Sequence, residues 1–157
     1  MQILDILSPE RAQAGVVAGS KKRALEQAAA LVSKSLGNSA SADAVFDALL
    51  ARERLGSTAL GEGVAVPHCR LAACPQALGA LLRLNEGVDF DAPDNQPVDV
   101  LFILVVPAQA TDEHLQLLGR IAAMFNDTAA RTALRQSHAG SDLLAAVAAF
   151  ERSAAGG

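Results

Sequence analysis

"VDVLFILVV", residues 98–106, holds the longest strongly apolar run in the chain, residues 100–106. Apart from Asp99, its neighbouring positions are all apolar, so an extended segment here needs cover on both faces. That pattern predicts a central strand with packed layers on either side. The run is far too short to span a bilayer. "ALGALLRL", residues 77–84, is a second strand, and the turn-rich "DAPDNQPVD", residues 91–99, joins the two. Shorter strands are expected in "AQAGVV", residues 12–17, and in "VAV", residues 64–66, which Pro67 stops. "GSTALGEG", residues 56–63, is a loop by its glycines.

Helices flank these strands. Residues 3–7 form a helical turn ended by Pro9. Ser20 caps a helix to about Leu36, with Ala24, Leu25, Ala28, Leu31, Val32, Ser35 and Leu36 on one face. "GNS", residues 37–39, ends it. Ser41 caps a second helix to about Arg54, aligning Val45, Leu49 and Arg52. Thr111 caps a third, with Leu115, Leu118, Ala122 and Phe125 at helical spacing. Asp127 starts a short helix to about Arg135, and Ser141 caps the last, burying Leu144, Val147 and Ala148. The expected fold is a single α/β domain: a mixed sheet of about five strands sandwiched by helices, over residues 3–150. Residues 151–157 are expected to be a disordered tail.

Composition narrows the functional classes. With 157 residues and 51 % apolar content, the chain builds a core without staples. It has no Trp or Tyr, so stacking of nucleic-acid bases is poorly served. Seventeen acidic residues against 13 basic ones leave a net charge of −4, which is no footprint for nucleic acid. The two cysteines, Cys69 and Cys74, suggest no disulfide framework, and a reducing compartment is the simpler reading. "MQILDILSPERAQ" lacks the basic start of a signal peptide. A cytoplasmic protein without membrane insertion is expected.

The chemistry centres on "GVAVPHCRL", residues 63–71. A neutral imidazole offers one lone-pair nitrogen and one N–H that fixes the tautomer. Gly56, Gly61 and Gly63 permit close backbone approach, and Ser57 and Thr58 add hydroxyls. Such a loop can cradle an anion, and phosphoryl transfer needs that kind of positioned surround. Spacing alone leaves His68 open between a nucleophile and a solvated turn residue. Arg52 or Arg54 could offset an arriving phosphoryl charge, or simply cap a helix end. Alternation in an extended segment places Arg70 on the same side as His68. His114 falls in a first helical turn, where free N–H groups favour anions and an imidazole serves best as a neutral donor. The alternative is a surface histidine beside Glu113. His138 in "QSHAG" is a loop residue. No zinc-type spacing, P-loop or G-x-S-x-G elbow occurs, so no metal, no nucleotide cofactor and no hydrolase triad is expected.

Taken together, "ARERLGSTALGEGVAVPHCRL", residues 51–71, and "FDAPDNQPVDVLFILVVPAQATDEHLQLL", residues 90–118, resemble the phosphotransferase-system enzyme IIA domains of the mannitol/fructose/nitrogen-regulatory class. The resemblance runs from about residue 3 to 150. "SKKRALE", residues 20–26, and "DNQPVD", residues 94–99, look most like the nitrogen-regulatory branch. The resemblance implies an α/β sandwich and a phosphoryl carrier with a phosphohistidine intermediate, not a small-molecule enzyme. It makes His68 the acceptor, at Nε2, with Arg52 and His114 as active-site partners. Gly56, Ser57 and Thr58 match the phosphoryl-binding loop. The implied donor is an HPr-like phosphocarrier of the nitrogen branch, itself charged by an enzyme I that uses phosphoenolpyruvate. The implied targets are regulatory partners such as transporters or sensor kinases, bound according to phosphorylation state in nitrogen, potassium and carbon metabolism. The alternatives are a fructose- or mannitol-type enzyme IIA that passes its phosphate to an enzyme IIB, and a binding module that is never phosphorylated. Cys69 departs from the glycine usual in relatives; it is a small inert residue or, alternatively, a redox-sensitive one. Val64, Val66 and Leu60 around His68, on an acidic protein, suit a basic, partly apolar partner face.

Overall fold

The computed structural model describes residues 1–37 and 39–156. Its sheet has six strands: β1 (Ala12–Val16), β2 (Ala59–Gly61), β3 (Val64–Ala65), β4 (His68–Leu71), β5 (Leu78–Val88) and β6 (Val98–Pro107). Five helices accompany them: α1 (Lys21–Leu36), α2 (Ala42–Arg54), α3 (Asp112–Phe125), α4 (Thr128–Arg135) and α5 (Gly140–Gly156). The strand order is β1-β5-β6-β3-β2, with β4 also on β6. β5 and β6 are antiparallel, whereas β3 and β4 both run parallel to β6. β6 is therefore central, as its two-sided apolar run predicts, and Val98 and Val100–Val106 are all buried.

The sheet divides the core in two. Leu101, Ile103 and Val105 face α1 and α2, where Leu25, Val32, Val45 and Leu49 are buried. Val100, Phe102, Leu104 and Val106 face α3, α4 and α5, where Leu117, Ile121, Leu134 and Val147 are buried. Alternation along one strand thus feeds two cores. Each large aliphatic side chain removed from water contributes about 1.5–3 kcal/mol.

The six strands fit the expected mixed sheet of about five; two of them, β2 and β4, add to the four segments that read as strands, and both lie where the glycines and Pro67 suggested irregular chain. Part of the expected 56–63 loop is a hairpin. β2 and β3 are joined by Glu62 and Gly63, at φ +59° and +77°. Positive φ at both central positions is the turn whose twist suits a two-residue hairpin. Beyond β3, Pro67 only interrupts pairing, since its carbonyl accepts Leu104 N–H at 2.9 Å and β4 resumes alongside β6.

Several helix faces differ from their predicted register. In α3 the buried stripe is Leu117, Ile121, Met124 and Phe125, while Leu115 is exposed. Both stripes satisfy helical spacing in so apolar a helix, and the one with the bulkier side chains goes inward. In α5 the buried residues are Leu143, Ala146 and Val147, not Leu144 and Ala148. Ser141 does not cap this helix. It begins at Gly140, and Asp142 accepts the N–H groups of His138 and Ala139, both at 3.0 Å. A Cβ at position 140 would collide with the carbonyl of Ala12, so glycine lets α5 seat against β1. Residues 151–156, expected to be disordered, continue the helix. The Glu151 carboxylate accepts Ile3 N–H at 2.7 Å and Leu4 N–H at 3.0 Å, tying that end to the N-terminal turn. Of the expected "GNS" stop, Gly37 caps α1, and Asn38 lies outside the described residues. No helix among the described residues is long and apolar enough to cross a membrane.

Candidate functional site

α2 sorts two neighbouring charges to different places. Its buried stripe is Val45, Leu49 and Glu53, so Glu53 rather than Arg52 continues the apolar face. Glu53 is buried without being stranded. Its carboxylate accepts Thr58 N–H at 3.1 Å and Thr58 Oγ1–H at 2.7 Å, and pairs with Lys21 Nζ at 3.2 Å. Lys21 also reaches Asp91 at 3.1 Å and lies 5.0 Å from the Phe90 ring centre. A buried carboxylate is tolerable only with such partners. Arg52, about 100° round the helix from Glu53, lines an open cleft with Ala48, Ala51 and Leu55.

The hydroxyl loop does not face that cleft. Thr58 is buried and committed to Glu53. Ser57 Oγ donates to the Phe90 carbonyl and accepts Ala59 N–H at 3.1 Å. The Gly56 carbonyl accepts from Arg52 Nη1 at 2.9 Å. None of the three lines the cleft. The carboxylate of Glu53 is a stronger acceptor than any solvent-facing alternative, and it draws the threonine inward. The loop therefore positions Arg52 instead of offering its own hydroxyls.

His68 opens β4 on the rim of the same cleft. Val66 N–H is used by the Thr58 carbonyl at 3.0 Å, and Val66 O turns to His68 Nδ1 at 2.7 Å. A carbonyl only accepts, so Nδ1 carries the proton in the neutral ring. Nε2 then holds the lone pair, and no hydrogen bond among the described residues occupies it. In register, His68 pairs with Leu104 and Arg70 with Val106, on the face that looks toward α3. Cys69 pairs with Val105 and packs into the opposite core, touching the cleft only at its wall. Burial pushes the Cys69 thiol up to about 12, so at neutral pH it stays protonated.

His114 comes from the other wall. It is the third residue of α3, and its Nδ1 accepts Thr111 N–H at 3.0 Å. An N–H only donates, so here Nδ1 carries the lone pair and Nε2 carries the proton of the neutral ring. The two histidines are thus held in opposite tautomers, one with a free acceptor at Nε2 and one with a free donor. His138 lies apart, exposed between α4 and α5.

The cleft measures about 550 Å³ and brings together Arg52, His68, Arg70 and His114 with Leu104, Val106, Ala110 and Leu118. Among the described residues no carboxylate lines it, in a chain of net charge −4. Leu55 and Leu115 stand at its mouth, 85 % and 62 % exposed. They replace the apolar surround expected from sequence, because Val64 and Val66 are buried and Leu60 borders a separate hollow. Sequence reasoning missed Lys21 and Glu53. The signal for Glu53 was its place four residues beyond Leu49 on the buried stripe.

Comparison with known proteins places the chain in a family. The family model described as "Phosphoenolpyruvate-dependent sugar phosphotransferase system, EIIA 2" matches residues 5–149. A nitrogen regulatory protein of Pseudomonas aeruginosa is 49 % identical over 137 residues, covering 87 % of this chain and 88 % of the relative. The nitrogen regulatory protein of Escherichia coli is 40 % identical over 144 residues, covering 91 % and 87 %. The crystal structure of the nitrogen regulatory protein IIA-Ntr from Neisseria meningitidis superposes with a TM-score of 0.86 at 42 % identity, covering 91 % of this chain and 97 % of that one. The mannitol IIA of Escherichia coli, at 23 % identity and a TM-score of 0.74, shares the fold. With a mixed sheet between helical layers and the match spanning nearly its whole length, the chain belongs to the EIIA 2 family of the phosphoenolpyruvate-dependent phosphotransferase system.

Proposed function

We propose that this protein is a cytoplasmic regulatory phosphoryl carrier that accepts a phosphoryl group on His68 Nε2 from an HPr-like phosphocarrier of the nitrogen branch. The observation that carries this reading is the 2.7 Å contact from His68 Nδ1 to Val66 O, which leaves Nε2 free at the cleft. In the step, the Nε2 lone pair forms a P–N bond as the donor's P–N bond breaks. The bonding pair returns to the donor nitrogen. One phosphohistidine replaces another, so no large change in bond energy has to be driven.

Arg52 offsets charge on the transferring oxygens, and His114 donates its Nε2–H to one of them. A cleft without carboxylates spares the arriving group repulsion. Leu55 and Leu115 give a partner apolar contact around the nucleophile. Phosphorylation then adds about −1.5 to −2 charges to this face, enough to remove or create a docking surface. A regulatory rather than sugar-transporting role is supported by relatives of 40–49 % identity named nitrogen regulatory protein.

The test is labelling with phosphoenolpyruvate, enzyme I and either a nitrogen-branch or a sugar-branch HPr-like carrier. An acid-labile, base-stable adduct is expected on the wild type, faster with the nitrogen-branch carrier, and absent from His68→Ala. Label persisting in that variant refutes the site. Absence of label with every carrier leaves a pure binding module. Onward transfer to a fructose- or mannitol-type enzyme IIB assigns the sugar pathway instead.

A further inference from the structure

Arg70 has no role in the account so far. It stands two residues from His68 on β4, and paired register with Leu104 and Val106 puts both side chains on the α3 face. Alternate residues of a strand lie about 7 Å apart, within reach of an arginine side chain. Both residues line the same cleft. Arg70 is exposed, and among the described residues it forms no ion pair. Arg52, by contrast, already donates to Gly56 O. The cleft therefore holds one arginine fixed by its loop and one uncommitted.

From that contrast, and resting on His68 as the phosphoryl acceptor, we infer that Arg70 grips the phosphoryl group once it is on His68 and so reads the phosphorylation state. In the bare protein its guanidinium is open to a partner's carboxylate. In the phosphorylated protein the guanidinium closes on the phosphoryl oxygens, which match its forked donors. No covalent step is added. One cation simply exchanges partners between two states. Arg70 thereby links the modification to the binding face without movement of the sheet.

The consequence is thermodynamic. A residue that only helps the carrier dock changes rates, whereas a residue that holds the phosphorylated state changes the equilibrium of the completed transfer. The experiment mixes phosphorylated carrier with wild type, Arg70→Gln or Arg70→Lys, and reads the final partition of phosphate by phosphorus NMR. Arg70→Gln is expected to shift the partition toward the carrier by roughly threefold to tenfold, a screened charge-assisted bond at a wet site. Arg70→Lys should fall between, because a point charge lacks the fork. Added salt should narrow the difference. An unchanged equilibrium constant in Arg70→Gln, with the wild type labelled normally, overturns the inference and leaves the carrier function intact. A wild type that takes no label overturns both.

Discussion

Arg135 and Arg52 stand near opposite ends of β6, about 20 Å apart along the strand. At the Arg135 end, arginines meet carboxylates. Arg135 binds Asp99 through Nε at 3.1 Å and Nη2 at 3.0 Å, and donates to the Glu62 carbonyl. Arg131 lies 4.0 Å from the Glu62 carboxylate. At the Arg52 end, two arginines face a cleft that no carboxylate lines. The nearest buried acid, Glu53, is turned the other way and satisfied by Lys21 and Thr58. The two ends use the same side-chain chemistry for different purposes. Arginines paired with carboxylates fasten a hairpin to a helix, and those that no carboxylate meets are, in the function proposed above, kept for an arriving phosphoryl group.

The largest effect expected from this contrast is kinetic. Arg52→Ala should slow phosphoryl transfer by roughly 10²-fold, the usual scale for one charge-stabilising donor. Its circular dichroism and melting should stay near wild type. Wild-type transfer in this variant, measured by rapid-quench labelling, would erase the distinction between the two ends.

Next comes Glu53→Ala, which leaves the Thr58 N–H and hydroxyl unpaired and Lys21 with a single exposed partner. A cost of about 2–3 kcal/mol in urea unfolding is expected. Glu53→Gln should cost less and slow transfer, because the loop that holds Arg52 loosens. A Glu53→Ala protein as stable as wild type would mean that the buried carboxylate is not what organises the loop.

The smallest is Arg135→Ala. Both partners of the Arg135–Asp99 pair are about one-third exposed, at 34 % and 31 %. Solvent screening holds its worth to about 0.5–1 kcal/mol. Phosphoryl transfer should be unchanged. A large loss of transfer in this variant would show that the two ends are coupled.

The comparison also shows what the sequence could reveal. The two-sided apolar run at 98–106 made β6 central, and Ser20, Ser41 and Asp127 cap helices where their side chains predict. His68, Arg52 and His114 do line one cleft, although they lie far apart in the chain. What failed was direction within a correctly placed segment. In α2, Arg52 and Glu53 both fit the spacing after Leu49, and only tertiary partners decide which goes inward. In α3, two apolar stripes compete, and Leu115, which fits the core-facing spacing, stands at the cleft mouth. Hydroxyls beside glycines suit anions, so the sequence presents Ser57 and Thr58 as donors to a ligand. Their actual partners, Glu53 and Phe90, are set by the folded loop. At β4 the sequence supports extended chain through His68 and Arg70 but not its place in the sheet, since pairing with β6 is non-local and leaves no periodic signal in four residues.

The central claim is that backbone geometry, not residue identity alone, selects Nε2 of His68 as the reacting atom. The most direct measurement is a phosphorus–nitrogen correlation spectrum of the labelled protein, with nitrogen-15 in the histidines. One phosphorylated ring is expected, His68, bonded to phosphorus at Nε2 while Nδ1 keeps its proton toward Val66. Phosphorus found on Nδ1 of His68, or on His114, would contradict it.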